Sequence, residues 1–368
     1  MINVGLSGIG FMGLIHFHAY RRVDGVRVAA LSSQSEQKRS GDWRGVQGNF
    51  GPAGEQMDIS GIATYPSLEA MLTDDSLNVV DVCLPAAFHA EASIAALKAG
   101  KHVFCEKPIS VSLFDARRMM EAAEECGKQL AIGHVLPFFA EFGYVLESAR
   151  NGRYGKPLGG HFKRIISDPT WLPDFYDPVK TGGPLLDLHI HDAHFIRLLF
   201  GQPSGVFSTG RLHQGRSGGQ PPVSDEPVVE FATTQFLFDG ESSVTATSGV
   251  ITQQGRSFTH AFEVHFEQAT LLFDFAVIDG EAQALMPLTV LHADGRVERP
   301  ALGAKGGQST DEVSPFAAEI DEFAQAIETG VPSPILDGQF ALDALILCHA
   351  QTKSIVTGDR VTMDQMAS

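Results

Sequence analysis

The sequence predicts an α/β protein in two parts: an N-terminal doubly wound parallel sheet, then a C-terminal α/β domain on a large open, mainly antiparallel sheet. Three observations carry this expectation. Short apolar runs alternate with helical patterns over the first 135 residues, as right-handed crossovers between parallel strands require. Beyond residue 150 the runs switch to period-two alternation with Asp-Gly turns between them. Glycines 8, 10 and 13 stand between the first apolar run and the first helical one. The boundary is expected near residue 136, giving parts 1–136 and 137–368.

Taken in order, "INVGLSG" reads as a strand, "GLIHFHAYRRV" as a helix and "VRVAALSS" as a second strand. A polar, Gly-rich stretch over residues 34–61 precedes the short helix "SLEAMLTD". Then come strand "VVDVCLP", helix "HAEASIAALKAG", strand "HVFCEKP", helix "LFDARRMMEAAEECG" and strand "QLAIGHV". The second part offers "GGHFKRIIS", "PVVEFATTQFLFDG", "SSVTATSGVI", "FTHAFEVHFEQATLLFDF" and "LTVLHADGRVERP" as sheet strands. Two helical patterns close the chain, "SPFAAEIDEFAQAIETG" and "GQFALDALILCHAQTKSIVTG". A sheet with one uncovered face usually finds a partner, so a homodimer or homotetramer is expected.

Composition narrows the function. The chain has 368 residues, 43% hydrophobic, and a formal charge of −17, which argues against nucleic acid or an anionic membrane as partner. No run of 18 apolar residues occurs, so no membrane span is expected. "MINVGLSGIGFMG" has no basic leader and reads directly as strand and turn, so a cytoplasmic protein is expected. Cys83, Cys105, Cys126 and Cys348 form no C-x-x-C pair and point to reduced thiols rather than zinc.

"GLSGIGFMG" is a G-x-G-x-x-G turn in strand–turn–helix context. Gly8 permits the tight turn, Gly10 lets the backbone approach a pyrophosphate, and Gly13 allows close helix–strand packing. The helix N-terminus adds amides and a positive dipole end. Ile9, Phe11 and Met12 complete the cofactor turn, and Pro85 and His89, after the strand "VVDVCLP", are further cofactor candidates. Readers of an unphosphorylated ribose usually carry an acid about 20 residues beyond the glycines. Ser32 and Ser33 stand there instead, with Lys38, Arg39 and Arg44 nearby, so the cofactor is NAD or NADP with NADP favoured. Plain solvated charge remains an open reading of Lys38 and Arg39, and Glu36 remains an alternative ribose partner.

"AGKHVFCEKPIS" places Glu106, Lys107 and Pro108 at the carboxyl end of a strand, where ligands of such sheets bind. A lysine there can take a substrate hydroxyl proton as hydride leaves. Glu106 would hold the lysine or touch the cofactor, and a cis bond before Pro108 is open. Alone, E-K-P would more often be a surface turn. "GLSGIGFMG", "VVDVCLPAAFHAEASIAALKAGKHVFCEKPIS" and "GGPLLDLHIHDAHFIRLLFG" together resemble the glucose–fructose oxidoreductase/inositol dehydrogenase/rhizopine-catabolism (Gfo/Idh/MocA) family. The resemblance implies a Rossmann domain followed by an open-sheet domain. It also implies NAD(P)-dependent oxidation or reduction at a carbinol carbon of a sugar, cyclitol or related polyol. The family's lysine maps onto Lys107, and its later Asp and His map onto Asp187 and His191.

If "GPLLDLHIHDAHFIRLLF" is one helix, Asp187, His191 and His194 share a face and His189 points away. A metal held by His191 or His194 with His134 or His161 stays open at this point. His191 would act as acid/base and Asp187 would bind a hydroxyl or assist Lys107. "GHVLPFFAEF" stands where many relatives carry an arginine, leaving His134 and Phe138 to shape the substrate pocket. "RIISDPTWLPDFYDPVKTGG" offers Trp171 and Tyr176 for stacking on a sugar, and Arg164, Asp174 and Lys180 for hydroxyls or carboxylates. Two alternatives accompany the dehydrogenase reading: a redox-neutral glycoside lyase or hydrolase retaining its NAD(H), and a non-catalytic nucleotide sensor.

Overall fold

The computed structural model describes residues 1–48, 50–169, 172, 174–213, 226–302 and 312–366. The chain divides into two compact units, Met1–Phe138 with Gln308–Leu342, and Phe139–Gly307 with Asp343–Ser368.

The first unit is built on β1 (Ile2–Ser7), β2 (Val26–Ser32), β3 (Ala63–Tyr65), β4 (Val79–Val82), β5 (His102–Glu106) and β6 (Leu130–Gly133). They pair in parallel in the order β3-β2-β1-β4-β5-β6, so the winding reverses between β1 and β4. The crossovers carry α1 (Phe11–Tyr20), α2 (Glu36–Arg39), α3 (Leu68–Leu72), α4 (His89–Lys98) and α5 (Leu113–Cys126). Serines cap three of these helices: the hydroxyls of Ser35, Ser67 and Ser112 accept from the amides of Lys38, Ala70 and Asp115. Covered on both faces, β4 is buried at all four positions, and one of them is Asp81. Within the polar stretch 34–61, Trp43, Val46 and Met57 nevertheless join the core cluster of Leu14, Phe17 and Leu31. The Trp43 indole satisfies its N–H by donating to the Lys38 carbonyl at 2.8 Å, which lets the whole ring be buried.

The second unit opens with α6 (Ala140–Arg150), a helix the sequence pattern did not suggest, and β7 (Pro157–Ser167). A π-helical turn, Leu185–His189, runs into α7 (Ile190–Phe200). Strands follow as β8 (Gly205–Leu212), β9 (Val229–Leu237), β10 (Ser243–Ile251), β11 (Arg256–Phe266), β12 (Ala269–Ile278), β13 (Glu281–His292) and β14 (Val297–Glu298). Later come α8 (Ser314–Thr329), α9 (Gly338–Thr357) and β15 (Val361–Thr362). The sheet order is β14-β13-β12-β11-β7-β10-β9-β8-β15, antiparallel at every described pairing except β7 with β10. Asp279 and Gly280 join β12 to β13 with φ of 51° and 77°, the left-handed pair a two-residue hairpin requires. Phe142 anchors an aromatic core, its ring 5.0 Å from Phe262 and 5.1 Å from Phe195. Among the described residues no helix is long and apolar enough to cross a membrane. The final helical patterns do not share one destination: α8 belongs to the first unit and packs on α1.

Candidate active site

Along the carboxyl edge of the first sheet, β1, β4, β5 and β6 stand side by side, spaced by about 5 Å. The chain leaves β1 at Gly8, β4 before Pro85, β5 at Lys107 and β6 at His134, so these residues follow neighbouring strands along one edge. The three glycines divide their work. Gly8 has φ of 101°, and a Cβ there would lie 2.5 Å from the Cys83 carbonyl oxygen. A Cβ on Gly13 would lie 2.1 Å from the Gly8 carbonyl oxygen, so α1 can enter this close only without a side chain. At Gly10, the N-cap of α1, a Cβ would meet nothing within 4 Å. Two glycines are thus required by packing, while the third leaves open backbone at a helix start, a cradle suited to a pyrophosphate. Ile9 is buried in the core, Met12 packs against it, and the Phe11 ring meets Phe50 edge-on at 4.7 Å.

At the end of β2, the buried Ser32 hydroxyl donates to Ser7 Oγ at 3.0 Å, while Ser33 is half-buried. Lys38 Nζ donates to the Ile9 carbonyl at 2.6 Å, and the Arg39 guanidinium donates to the Ser33 carbonyl at 2.6 Å. Both cations are therefore folded back toward the glycine turn and the β2 end rather than extended into solvent.

At the end of β5, Glu106 is buried and Lys107 half-buried. Glu106 Oε2 accepts from the Lys107 amide at 3.1 Å, and the Lys107–Pro108 peptide is cis. His89 braces this loop, its ring nitrogens each 2.8 Å from a carbonyl oxygen, of Pro108 and of Leu84. Burial draws the His89 pKa down, against the pull of the Pro108 and Leu84 carbonyls, which favour the protonated ring. Its ring nitrogens are occupied by backbone, whereas Pro85 is exposed.

In the second unit the expected single helix begins instead as the π-helical turn, and this shifts its face. Across residues 183–196 every residue is buried except Asp187 and His191, which are half-buried. His194, expected on their face, is fully buried. A π turn holds extra residues per turn, so positions beyond it no longer follow the 3.6-residue phase counted from Asp187. His189 does point elsewhere: Nδ1 pairs with Ser248 Oγ and Nε2 with the Gln351 side chain, both at 2.8 Å.

Burial lowers the His189 pKa to about 4, so the fold holds a neutral ring. Its folded pKa lies below the unfolded 6.5, so its stabilising effect is complete above pH 6.5 and lost as pH falls toward 4. Urea unfolding across that window should show a loss on the order of 3 kcal/mol from this group. The H189Q variant should lack that component; an unchanged pH slope would contradict the neutral-ring assignment.

Of the substrate candidates, His134 is buried beyond β6 in the first unit. Tyr176 is half-buried, donates to Asp168 Oδ1 at 3.0 Å and stacks on His213 with centroids 4.2 Å apart. Its phenol pKa is pushed up to about 12, chiefly by burial, so it remains a donor. Trp171 lies outside the described residues. Arg164 is not a free sugar ligand: it forms a buried two-bonded pair with Asp192, at 2.8 and 3.2 Å. Lys180 pairs with Asp174 at 2.8 Å on the surface. Among the described residues one trio of metal-ligating types gathers within 4.8 Å, and it is His16, Asp81 and Cys83 rather than any histidine of α7.

The sequence reading missed His16. It sits on α1 one turn past the glycines, and its Nδ1 lies 2.8 Å from Asp81 Oδ2 and its Nε2 3.0 Å from Glu106 Oε1. The available signal was an Asp inside an otherwise apolar strand, "VVDVCLP", which needs a buried partner.

Comparison with known proteins identifies the family and the fold. Residues 2–134 match the model of the Gfo/Idh/MocA oxidoreductase family, NAD-binding Rossmann fold, and residues 142–272 match the Gfo/Idh/MocA C-terminal domain. Myo-inositol 2-dehydrogenase of Thermotoga maritima is 31% identical over 231 residues, 62% of this chain and 64% of that enzyme. This match thus spans less than two thirds of the relative's length. 1,5-Anhydro-D-fructose reductase of Ensifer adhaerens is 26% identical over 81% of this chain and 83% of its own. An oxidoreductase from Agrobacterium radiobacter, solved with NAD+, L-tartaric acid and magnesium, superposes with a TM-score of 0.77 at 17% identity, covering 99% of both chains. That likeness concerns the fold.

Proposed function

The chain belongs to the Gfo/Idh/MocA family and is an NAD(P)-dependent oxidoreductase, and from that premise we propose that it transfers hydride at a carbinol carbon of a sugar, cyclitol or related polyol. The carrying observation is the placement of Glu106, Lys107 and Pro108 two strands from the glycine turn, on the carboxyl edge of one parallel sheet. The relatives named above, an inositol dehydrogenase and an anhydrofructose reductase, support the polyol class.

Bound at the cradle of Gly10, a nicotinamide cofactor supplies the hydride acceptor or donor. Lys107 exchanges the proton of the reacting hydroxyl, and Glu106 holds the Lys107 amide. His191 acts as acid/base on the reacting oxygen, and Asp187 binds a hydroxyl and tunes that imidazole. Tyr176 and His134 contribute to substrate recognition. The direct test is a panel of cyclitols and aldoses with NAD+ or NADP+, followed by reduced-nicotinamide absorbance. Turnover with a polyol is expected. A tightly retained cofactor with product formed and no net absorbance change would overturn the reading in favour of a redox-neutral lyase.

The phosphate preference rests on Arg39 and Lys38 beside two serines. Replacing Arg39 with Ala should weaken NADPH binding about tenfold, the equivalent of one charge-assisted hydrogen bond, and leave NADH binding unchanged. Fluorescence titration with both cofactors checks this; an equal effect on the two would remove the preference. The open sheet exposes Phe207, Leu285, Met286 and Leu291, which supports pairing with a second copy as a homodimer or homotetramer. Four free cysteines support a reducing, cytoplasmic setting.

A further inference from the structure

Behind the Lys107 peptide, Glu106 belongs to a charged cluster in the core of the first unit whose other members, His16 and Asp81, the proposed chemistry does not use. His16 and Asp81 are wholly buried and Glu106 nearly so. Both ring nitrogens of His16 face carboxylate oxygens, Asp81 at 2.8 Å and Glu106 at 3.0 Å. A neutral imidazole donates only one hydrogen bond, and an ionised carboxylate only accepts. Two ionised acceptors therefore require a ring protonated at both nitrogens. The surroundings agree. Burial opposes the charge on His16, but the Asp81 carboxylate at 2.8 Å outweighs it and the pKa stands well above the ordinary histidine value. Cys83, whose thiol donates to Asp81 Oδ1 at 3.4 Å, is itself pushed up by burial and stays neutral.

Two further titratable groups flank the cluster: Tyr20, on the helix of His16 and beside Asp81, and Glu319 on α8, beside Glu106 and His16. Burial raises the pKa of both, and the neighbouring Glu106 raises that of Glu319 further. Phe104 and Phe316 close the remaining sides, with ring centroids 5.5 and 6.2 Å from the imidazole. Asp81, His16 and Glu106 thus form a dry line of three charges. Its outer end, Glu106 Oε2, holds the Lys107 amide at 3.1 Å.

We propose that His16 is a positioning residue: doubly protonated between Asp81 and Glu106, it keeps Glu106 ionised and in the one rotamer that fixes the Lys107 backbone. The inference rests on the catalytic reading of Lys107. Without the imidazolium, Glu106 and Asp81 would face each other across a low-dielectric gap, and one of them would take up a proton. If Glu106 takes it, the carboxyl loses the ionised acceptor that holds the Lys107 amide.

The test has two arms. Nitrogen-15 NMR of the histidine-labelled full chain reads the protonation of His16 without any turnover. Both ring nitrogens should be protonated from about pH 6 to 8, and in the D81N variant the ring should return to a single proton within that range. In the H16Q variant kcat should fall about 10- to 100-fold while the cofactor KM stays within about threefold. Its kcat profile should also differ from that of the wild type on the acid side, where the charge balance of the cluster has changed. A singly protonated ring in the wild type overturns the proposal, as does an H16Q profile matching the wild type. If H16Q does not fold, the wild-type and D81N spectra still decide. Should K107A retain turnover, the catalytic reading fails instead, and the spectra report on the clamp alone.

Discussion

Replacing Lys107 with Ala should lower kcat by about 10²- to 10⁴-fold, the usual contribution of a positioned general acid or base. The side chain is half-buried at the end of β5, and its peptide is held by Glu106 on one side and by the cis proline on the other. Lys107 follows β5, two strands from the glycine turn after β1, so NAD(P)H affinity should change by less than about threefold. Turnover in steady state and cofactor binding by fluorescence separate the two. A K107A protein with near wild-type kcat would end the proton-transfer assignment. A protein that loses cofactor binding in parallel would make Lys107 a cofactor ligand instead.

The second large effect is expected in the other unit. Asp192 follows His191 directly and forms the buried pair with Arg164 of β7, with side chains 2% and 6% exposed. Asp192→Ala leaves a guanidinium buried without its carboxylate and should cost about 3–5 kcal/mol of stability. The size comes from stranding a charge. It does not measure what the pair adds over an apolar pair, which is often nothing. The ion pair ties α7 to β7, so turnover should fall as well through misplacement of His191. Urea unfolding checks the first effect; a loss under about 1 kcal/mol would mean that water reaches Arg164 when the carboxylate is gone.

The parallel sheet of the first unit was legible because each link is local. Period-two or continuous apolar runs between helical patterns can bury their faces in few ways, and short right-handed crossovers leave little choice of strand order. The glycine turn was legible for the same reason: the steric demands at Gly8 and Gly13 come from residues close by in the chain or on the next strand. The antiparallel texture of β9 to β13 was equally clear, with an Asp-Gly turn at Asp279–Gly280, whereas β8 carried no such signal. Asp187 and His191 are half-buried while their neighbours over residues 183–196 are buried, and the π-helical turn replaces the helical phase that grouped them with His194.

Long-range choices were not legible. Arg164 looks like a surface ligand in a polar loop-rich segment, and only the packing of α7 against β7 turns it inward onto Asp192. Trp43 sits in a run that reads as exposed loop, yet it fills the core beside Phe17. The sequence by itself determined the fold class, the glycine turn between β1 and α1 and the place of Lys107 at the end of a parallel strand, since each rests on patterns spanning a few residues. Tertiary structure alone decided that His16, Asp81 and Glu106, drawn from one helix and two strands, meet in one dry line. The physical reason is that a buried charge must find its counter-charge wherever the packed elements bring one, and that distance is set in space rather than along the chain.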